Sequence, residues 1–526
     1  MISDKVFTRL RGGALPLLVL SAACPAFGQD MPAPAPVSSN SPWDGTIDPQ
    51  TVSDPVLKRL YAKSGWRSLW SPPDVAILEA ALADRNRHGL DRVRFAPQQD
   101  ASSTAAAQDV ARTRAALDYA TALLVGRVDP TALHSVYTVP NAKADVAAGL
   151  GAALHAGTLQ AYLDALPPQD AEYRQLSDAY LQLSHTASTT SPETVPAGQA
   201  IRVGTDDGRV AAIAGQLRDS GYLLFQWPGA TVETTGMAVP AVAPSRWTAE
   251  MAQALEALQR DYGIAADGVV GPETLKVLNL GSGDRLRALA VALERRRWLE
   301  RTPPATRIDV NTAAAELRYY RDGMLVDRRK VVVGEANRET PPLSSPIYRL
   351  VANPTWTVPK SIQNGEMASV NEDYLQAHNM IIRDGWIVQQ PGPDNALGLV
   401  KFDMANDQAI YLHDTAAPAL FERSQRHLSH GCVRVENALQ FADMLANDEG
   451  VVDAWQTAQA SGEMTFVPLP KRIPVRMLYQ NVFVGDDGAI AYRSDPYGWN
   501  GPIAEQLGFA KSSARTAEAQ SIDIGP

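Results

Sequence analysis

The hydrophobic period of the sequence changes once, at Pro303-Pro304, and that switch limits what the chain can fold into. Upstream, apolar residues recur at i, i+3 and i+4, the stripe of an amphipathic helix. Val75 to Ala83, Ala115 to Leu124 and Tyr173 to Leu183 all read this way. Downstream the chain breaks into short β-branched runs, with Asp322-Gly323 as a hairpin turn between two of them. Helices and strands in separate blocks predict an α+β chain of several domains. The 526 residues leave room for about three or four units of roughly 150 residues.

The N-terminus reads as an export signal over 1–28. Lys5, Arg9 and Arg11 precede a short apolar run, and Ala26-Phe27-Gly28 offers small residues for cleavage. The run is too short to span a bilayer, so the protein is expected in the periplasm and not as a transmembrane protein. A lipid-anchored form, with Ser21-Ala22-Ala23 before Cys24, is the second reading; Ser21 stands where such signals prefer a large aliphatic residue. A Pro/Ala/Ser-rich linker over 29–47 follows, then a helical region over 48–184 and a polar linker over 185–200. Residues 201–281 form a compact unit of three short helices, in which Gly268 and Gly271 supply backbone freedom and Pro272 opens the third helix. A connecting helix over 282–304 carries Arg295-Arg296-Arg297, read as a surface patch or a solvated face. The mostly β domain runs over 305–496, and the tail over 497–526 is expected to be disordered.

The formal charge of −10 argues against a broad nucleic-acid surface. Of two cysteines, Cys24 leaves with the signal, so the mature chain holds one thiol, Cys432, which cannot form an internal disulfide. Cys432 lies in Ser429-His430-Gly431-Cys432-Val433-Arg434. A nucleophilic thiol needs nearby cations or a base, and His430 and Arg434 could supply charge. His413, at the end of a predicted strand, is the candidate base; spacing alone leaves open a plain strand histidine. Zinc ligation by His413, His430 and Cys432 is a further reading, but His-x-Cys is not a usual zinc spacing. Ser429 lacks a nucleophile elbow around it.

The motif around Cys432 resembles the signature of the L,D-transpeptidases. The segment Asn353-Pro354-x-Trp356-x-Val358-Pro359, the segment Pro391-Gly392 to Lys401-Phe402, and Tyr411-Leu412-His413-Asp414-Thr415 resemble the large subclass with a capping insertion, here about 360–395. Residues 201–281 are similar to a three-helix peptidoglycan-binding module, and 48–184 to a helical scaffold domain. The resemblance implies Cys432 as nucleophile and His413 as base, oriented by the carbonyl of Asp414. It implies an oxyanion hole from the N–H groups of Gly431 and Cys432. Arg434, His430, Ser429 and Tyr411 would shape the pocket, and Trp356 and Asn395 would line the donor groove. It implies no cofactor and no metal. The partners are peptidoglycan stem peptides, with 3→3 cross-linking through a Cys432 acyl-enzyme and release of D-alanine. An outer-membrane protein lysine, a free D-amino acid or water are alternative acceptors, and a catalytically dead wall-binding protein is the reading from another class. Two positions depart from the family: Pro342-Leu343 replaces a glycine-containing turn, and Gln389-Gln390 stands where Arg-Gln is frequent.

Overall fold

The computed structural model describes residues 45–95, 104–186, 194–223 and 244–511. The signal, most of the first linker and 187–193 of the second lie outside them.

The helical region contains α1 (Pro55–Lys63), α2 (Pro72–Ala83), α3 (Ala105–Val125), α4 (Pro130–Leu133), α5 (Val146–Ala156), α6 (Leu159–Ala165) and α7 (Ala171–Thr186). Asp54, Ser71, Thr104, Asp129 and Asp145 cap the starts of five of these helices with side-chain oxygens, and proline follows three of them. The compact unit holds α8 (Val210–Asp219), α9 (Ala249–Asp261) and α10 (Pro272–Leu278). Gly268 earns its place: φ is 65°, and a Cβ there would press on Ala252 at 3.0 Å. Gly271 does not, since its φ is −103° and the space beside it is open. Both linkers end earlier than expected. Ile47 is buried with Val52, Leu57 and Tyr61, and Val195 is buried and bonded at both backbone atoms to Asn279.

The long helix α11 (Gly281–Trp298) follows. Its arginine run is a buried anchor rather than a surface patch or a solvated face. Arg297 is fully buried, bonded to Glu294 at 2.5 Å, to the carbonyl of His88 at 2.8 Å and to the Tyr173 hydroxyl at 2.9 Å. Arg296 pairs with Asp170 and Glu172 at 2.8 and 2.9 Å. Arg295 reaches Asn481 and Asn500 at 3.0 and 2.6 Å. Helical periodicity could not distinguish these fates, because it ranks arginine as polar whatever faces it.

The β region comprises β1 (Arg307–Asn311), β2 (Glu316–Arg321), β3 (Met324–Gly334), β4 (Ser344–Ala352), β5 (Trp356–Thr357), β6 (Met380–Arg383), β7 (Trp386–Gln389), β8 (Val400–Met404), β9 (Leu412–His413), β10 (His427–Ser429), β11 (Val433–Val435) and β12 (Thr465–Leu478). The main sheet has the order β10-β3-β11-β9-β8-β4-β12-β1-β2, and β2 pairs with β3 again, so the pairing closes on itself. Closure leaves few unpaired edges. One face is apolar: Ile308, Val310, Leu317, Phe402, Leu412, Val433 and Val435 pack with Phe441 of α14 (Ala438–Asp448) and Trp455 of α15 (Val452–Ala460). The other face carries Asp309, Arg349, Lys401, Asp403, His413 and Arg434. Strand alternation explains the division.

The capping insertion folds as β5, β6 and β7 with α12 (Lys360–Asn364) and α13 (Glu372–Ala377). It has its own core of Trp356, Val358, Ile362, Met367, Leu375, Met380, Ile387 and Leu397. After β12 the chain returns to the helices through β13 (Val482–Val484), β14 (Ile490–Tyr492) and α16 (Asn500–Gln506). The tail is therefore ordered up to 511, contrary to expectation. Ile503, Ala504 and Leu507 are buried in the helical core, which a seven-residue helix rich in Gly, Pro and polar residues does not announce.

Candidate active site

Strands β9 and β11 run parallel, with Arg434 paired to His413 and Val433 to Leu412. Side chains alternate across a strand, so Tyr411 and His413 share a face with Arg434, and Cys432, just ahead of β11, precedes Arg434 by two residues on that side. Lys401 of β8 pairs with His413 from the opposite edge.

Cys432 is 8% exposed. Its thiol donates to the carbonyl of Ala409 at 3.6 Å, and the backbone and hydroxyl of Tyr411 hydrogen-bond to it. Ala409 adopts φ 53°, unusual for a residue with a Cβ. Burial raises the thiol pKa, and Tyr411, Lys401 and Arg434 offset part of that rise. His413 is fully buried. Burial, then Arg434 and Lys401, push its pKa well below the ordinary value, so the ring is neutral. Nδ1 lies 2.6 Å from the carbonyl of Asp414, which fixes the proton on Nδ1 and leaves the Nε2 lone pair available. Nε2 is buried without a hydrogen-bond partner. A buried acceptor left unmatched is costly and uncommon. The Asp414 carboxylate accepts from the N–H of Leu399 at 2.9 Å, so this Asp braces the turn at Gly398.

The loop before Cys432 is held from several sides. Gly431 has φ 116°, and its carbonyl accepts from Thr340 Oγ1 at 2.8 Å. Ser429 is fully buried; its hydroxyl donates to the carbonyl of Cys432 at 2.6 Å and accepts the N–H of Gly431 at 3.2 Å. Ser429 thus shapes the loop instead of facing a ligand, and the Gly431 N–H expected in the oxyanion hole is already engaged. Arg434 is almost wholly buried. His430 faces Glu366 of the cap at 3.2 Å.

Trp356 and Asn395 depart further from expectation. Trp356 is 2% exposed inside the cap core. Asn395 is equally buried; its amide donates to the Gln390 carbonyl at 2.9 Å and its oxygen accepts from Leu397 at 2.8 Å. Gln389, the departure from the family pattern, completes the same loop by bonding Asp394 and Ala396. Tyr411 packs against the cap core and touches Cys432, joining the two. Lys401, 4.1 Å from the Tyr411 ring centroid, and Arg338 and Glu366 were not picked out from sequence. Lys401 stood in the motif Leu397-Gly398-x-x-Lys401-Phe402, and strand alternation would have placed it on the face of His413.

A helical region, a compact helical unit and a closed sheet with a buried cysteine and a neutral histidine on one face define a multidomain α+β chain, and three known domain families match its successive parts. The Scaffold domain model matches 55–179, the model "Putative peptidoglycan binding domain" 207–278, and the L,D-transpeptidase catalytic domain model 305–457. Residues 305–457 are thus similar to the L,D-transpeptidase catalytic domain, with scaffold-like and peptidoglycan-binding-like segments before them. A relative from Haemophilus influenzae, described as "Putative L,D-transpeptidase", is 34% identical over 220 residues, 37% of this chain and 45% of the relative; the match thus spans less than half of that protein. An L,D-transpeptidase structure from Xylanimonas cellulosilytica is 17% identical with a TM-score of 0.19, covering 54% of this chain and 98% of that one. One from Stackebrandtia nassauensis is 15% identical with a TM-score of 0.22, covering 55% and 97%. Scores this low give those likenesses no weight for function.

Proposed function

We propose that the protein is an exported, periplasmic L,D-transpeptidase that forms 3→3 cross-links between stem peptides, with Cys432 as nucleophile and His413 as base. The observation that carries this is His413 itself: buried, neutral, pinned at Nδ1 by Asp414, with an unpartnered Nε2, on the sheet face that Cys432 approaches. Sulfur attacks the carbonyl of the third stem residue at its L-centre while the thiol proton passes to Nε2. The tetrahedral oxyanion takes the Cys432 N–H, and the Gly431 N–H once Ser429 releases it. Collapse expels D-alanine, whose amine takes the proton from His413, and leaves a thioester. An acceptor amine then attacks the thioester, His413 takes its proton, and the thiol is restored. Two acyl transfers replace one difficult exchange. The raised thiol pKa suits a resting thiol that ionises only as substrate binds.

The test is mass spectrometry of tetrapeptide muropeptides incubated with the protein. The expected product is a dimer lacking one D-alanine; tripeptide alone would assign water as the acceptor. Cys432→Ala should yield neither, nor gain the mass of a carbapenem. Cross-linking by that variant would sink the assignment.

A further inference from the structure

Glu366 belongs to the cap, between α12 and α13, yet an arginine and a histidine of the loops around Cys432 hold its carboxylate. Oε1 lies 2.6 Å from Arg338 Nη2 and 3.2 Å from His430 Nε2. Its own backbone N–H, Arg338 and His430 hold its carboxyl below the usual range. Arg338 stands between β3 and β4, and its other carboxylate contact among the described residues is Glu335, at 3.6 Å. His430 is two residues before Cys432. The two loops are bound together: the N–H of Glu335 donates to the Ser429 carbonyl at 2.9 Å, and Thr340 holds the Gly431 carbonyl. A Cβ placed on Gly431 would lie 3.7 Å from the Arg338 carbonyl. A carboxylate-binding pair therefore sits on the loops that carry the thiol, and the cap fills it.

We infer that Arg338, with His430, receives the free terminal carboxylate of the donor stem peptide, and that Glu366 occupies this receptor as an internal surrogate until substrate displaces it. The inference rests on the acyl-transfer reading of Cys432. In a tetrapeptide donor the terminal carboxylate lies one residue beyond the carbonyl attacked, so a receptor for it belongs close to the nucleophile. Guanidinium suits a carboxylate in shape and charge. Exchanging one carboxylate for another keeps Arg338 paired. A donor ending in an amide would break the Arg338–Glu366 pair and replace it with a weaker partner. The same contact thus keeps the cap down in the absence of substrate and selects donors with a free terminus.

The experiment uses two reagents that alkylate Cys432 by displacing iodide, the anion iodoacetate and the neutral iodoacetamide, followed by peptide mass mapping of the full chain. Glu366→Gln, nearly isosteric, should raise the iodoacetate rate about tenfold relative to iodoacetamide, the scale on which local charge focuses an anion. Adding Arg338→Gln should abolish that preference. Equal acceleration of both reagents would mean that Glu366 merely props the cap, and an unchanged ratio would mean that no receptor exists; either overturns the inference. With stem peptides, Arg338→Gln should raise KM for the free tetrapeptide and leave its terminal amide unaffected, whereas equal losses would overturn it. If no protein turns over any stem peptide while the iodoacetate preference moves as stated, the acyl-transfer reading fails and the anion receptor stands.

Discussion

Two buried polar clusters, one around α11 and one where β9 meets β11, are built on opposite rules. Around α11, charge meets opposite charge at short range, Arg297 with Glu294 and Arg296 with Asp170 and Glu172. At β9 and β11 the central groups are neutral, and the two charges that act on His413, Arg434 and Lys401, are both positive. Lys401 and Arg434 both disfavour protonation of His413, while Asp403 is taken by Arg349 and Lys401 and the Asp414 carboxylate by the N–H of Leu399. The first arrangement spends its polar groups on holding helices together. The second leaves the Nε2 lone pair of His413 uncommitted, as a general base would require.

That contrast can be broken from either side. The largest effect is expected from His413→Gln, which should lower turnover by about two to four powers of ten while the melting temperature holds or rises, because an unmatched buried nitrogen is removed. A large stability loss with intact turnover would reverse the comparison. Glu294→Gln should do the opposite: it leaves Arg297 buried without its counter-charge, a loss of about 3–5 kcal/mol by thermal or denaturant unfolding, with turnover intact in the folded fraction. Acid should expose a weakness shared by both regions. Burial lowers His88 to about 3 and His134 and His427 to about 4. Below pH ~6.5 the unfolded chain takes up protons that the folded one refuses. Stability is thus full above that pH and falls steadily toward pH ~4. His427→Gln should flatten this fall in melting curves, and an unchanged slope would remove His427 from the account. A smaller effect is expected at Lys401. Lys401→Met withdraws a charge that favours the thiolate, so iodoacetamide labelling of Cys432 at pH ~8 should slow a few-fold and its pH profile move upward. An unmoved profile would leave Tyr411 and Arg434 as the influences on the thiol. Smallest is Tyr497→Phe, which deletes a hydroxyl donating to the Gly334 carbonyl at 2.7 Å. It should cost about 1 kcal/mol and a modest part of kcat, read by melting and steady-state rates.

What the sequence disclosed followed from how local each signal was. The α+β division and the hairpin at Asp322-Gly323 rest on period and turn chemistry, and both are in the structure. The nucleophile loop was legible because one thiol stands in a short motif. The burial of Trp356 and Asn395 in the cap and of Ser429 in the nucleophile loop was not legible, because a family motif marks residues that shape a fold as firmly as residues that bind. The arginines of α11 and the helix at Asn500–Gln506 were hidden for another reason. Their partners, Glu294 apart, lie far away in sequence, so no local pattern reports them.

That return of the chain has a kinetic consequence. Gly508 lies against Arg92, and Arg92 stacks over the ring of Phe509, across more than four hundred residues. The strand β12 is likewise interior to the sheet, between β4 and β1, although it is the last of the catalytic strands. A chain made from its N-terminus therefore holds an unfinished scaffold core until the entire catalytic sheet has been synthesised. Such contacts make folding slow and leave apolar surface waiting. Truncation just before Asn500 would leave every residue of the thiol site in place and still deprive the first domain of its final piece.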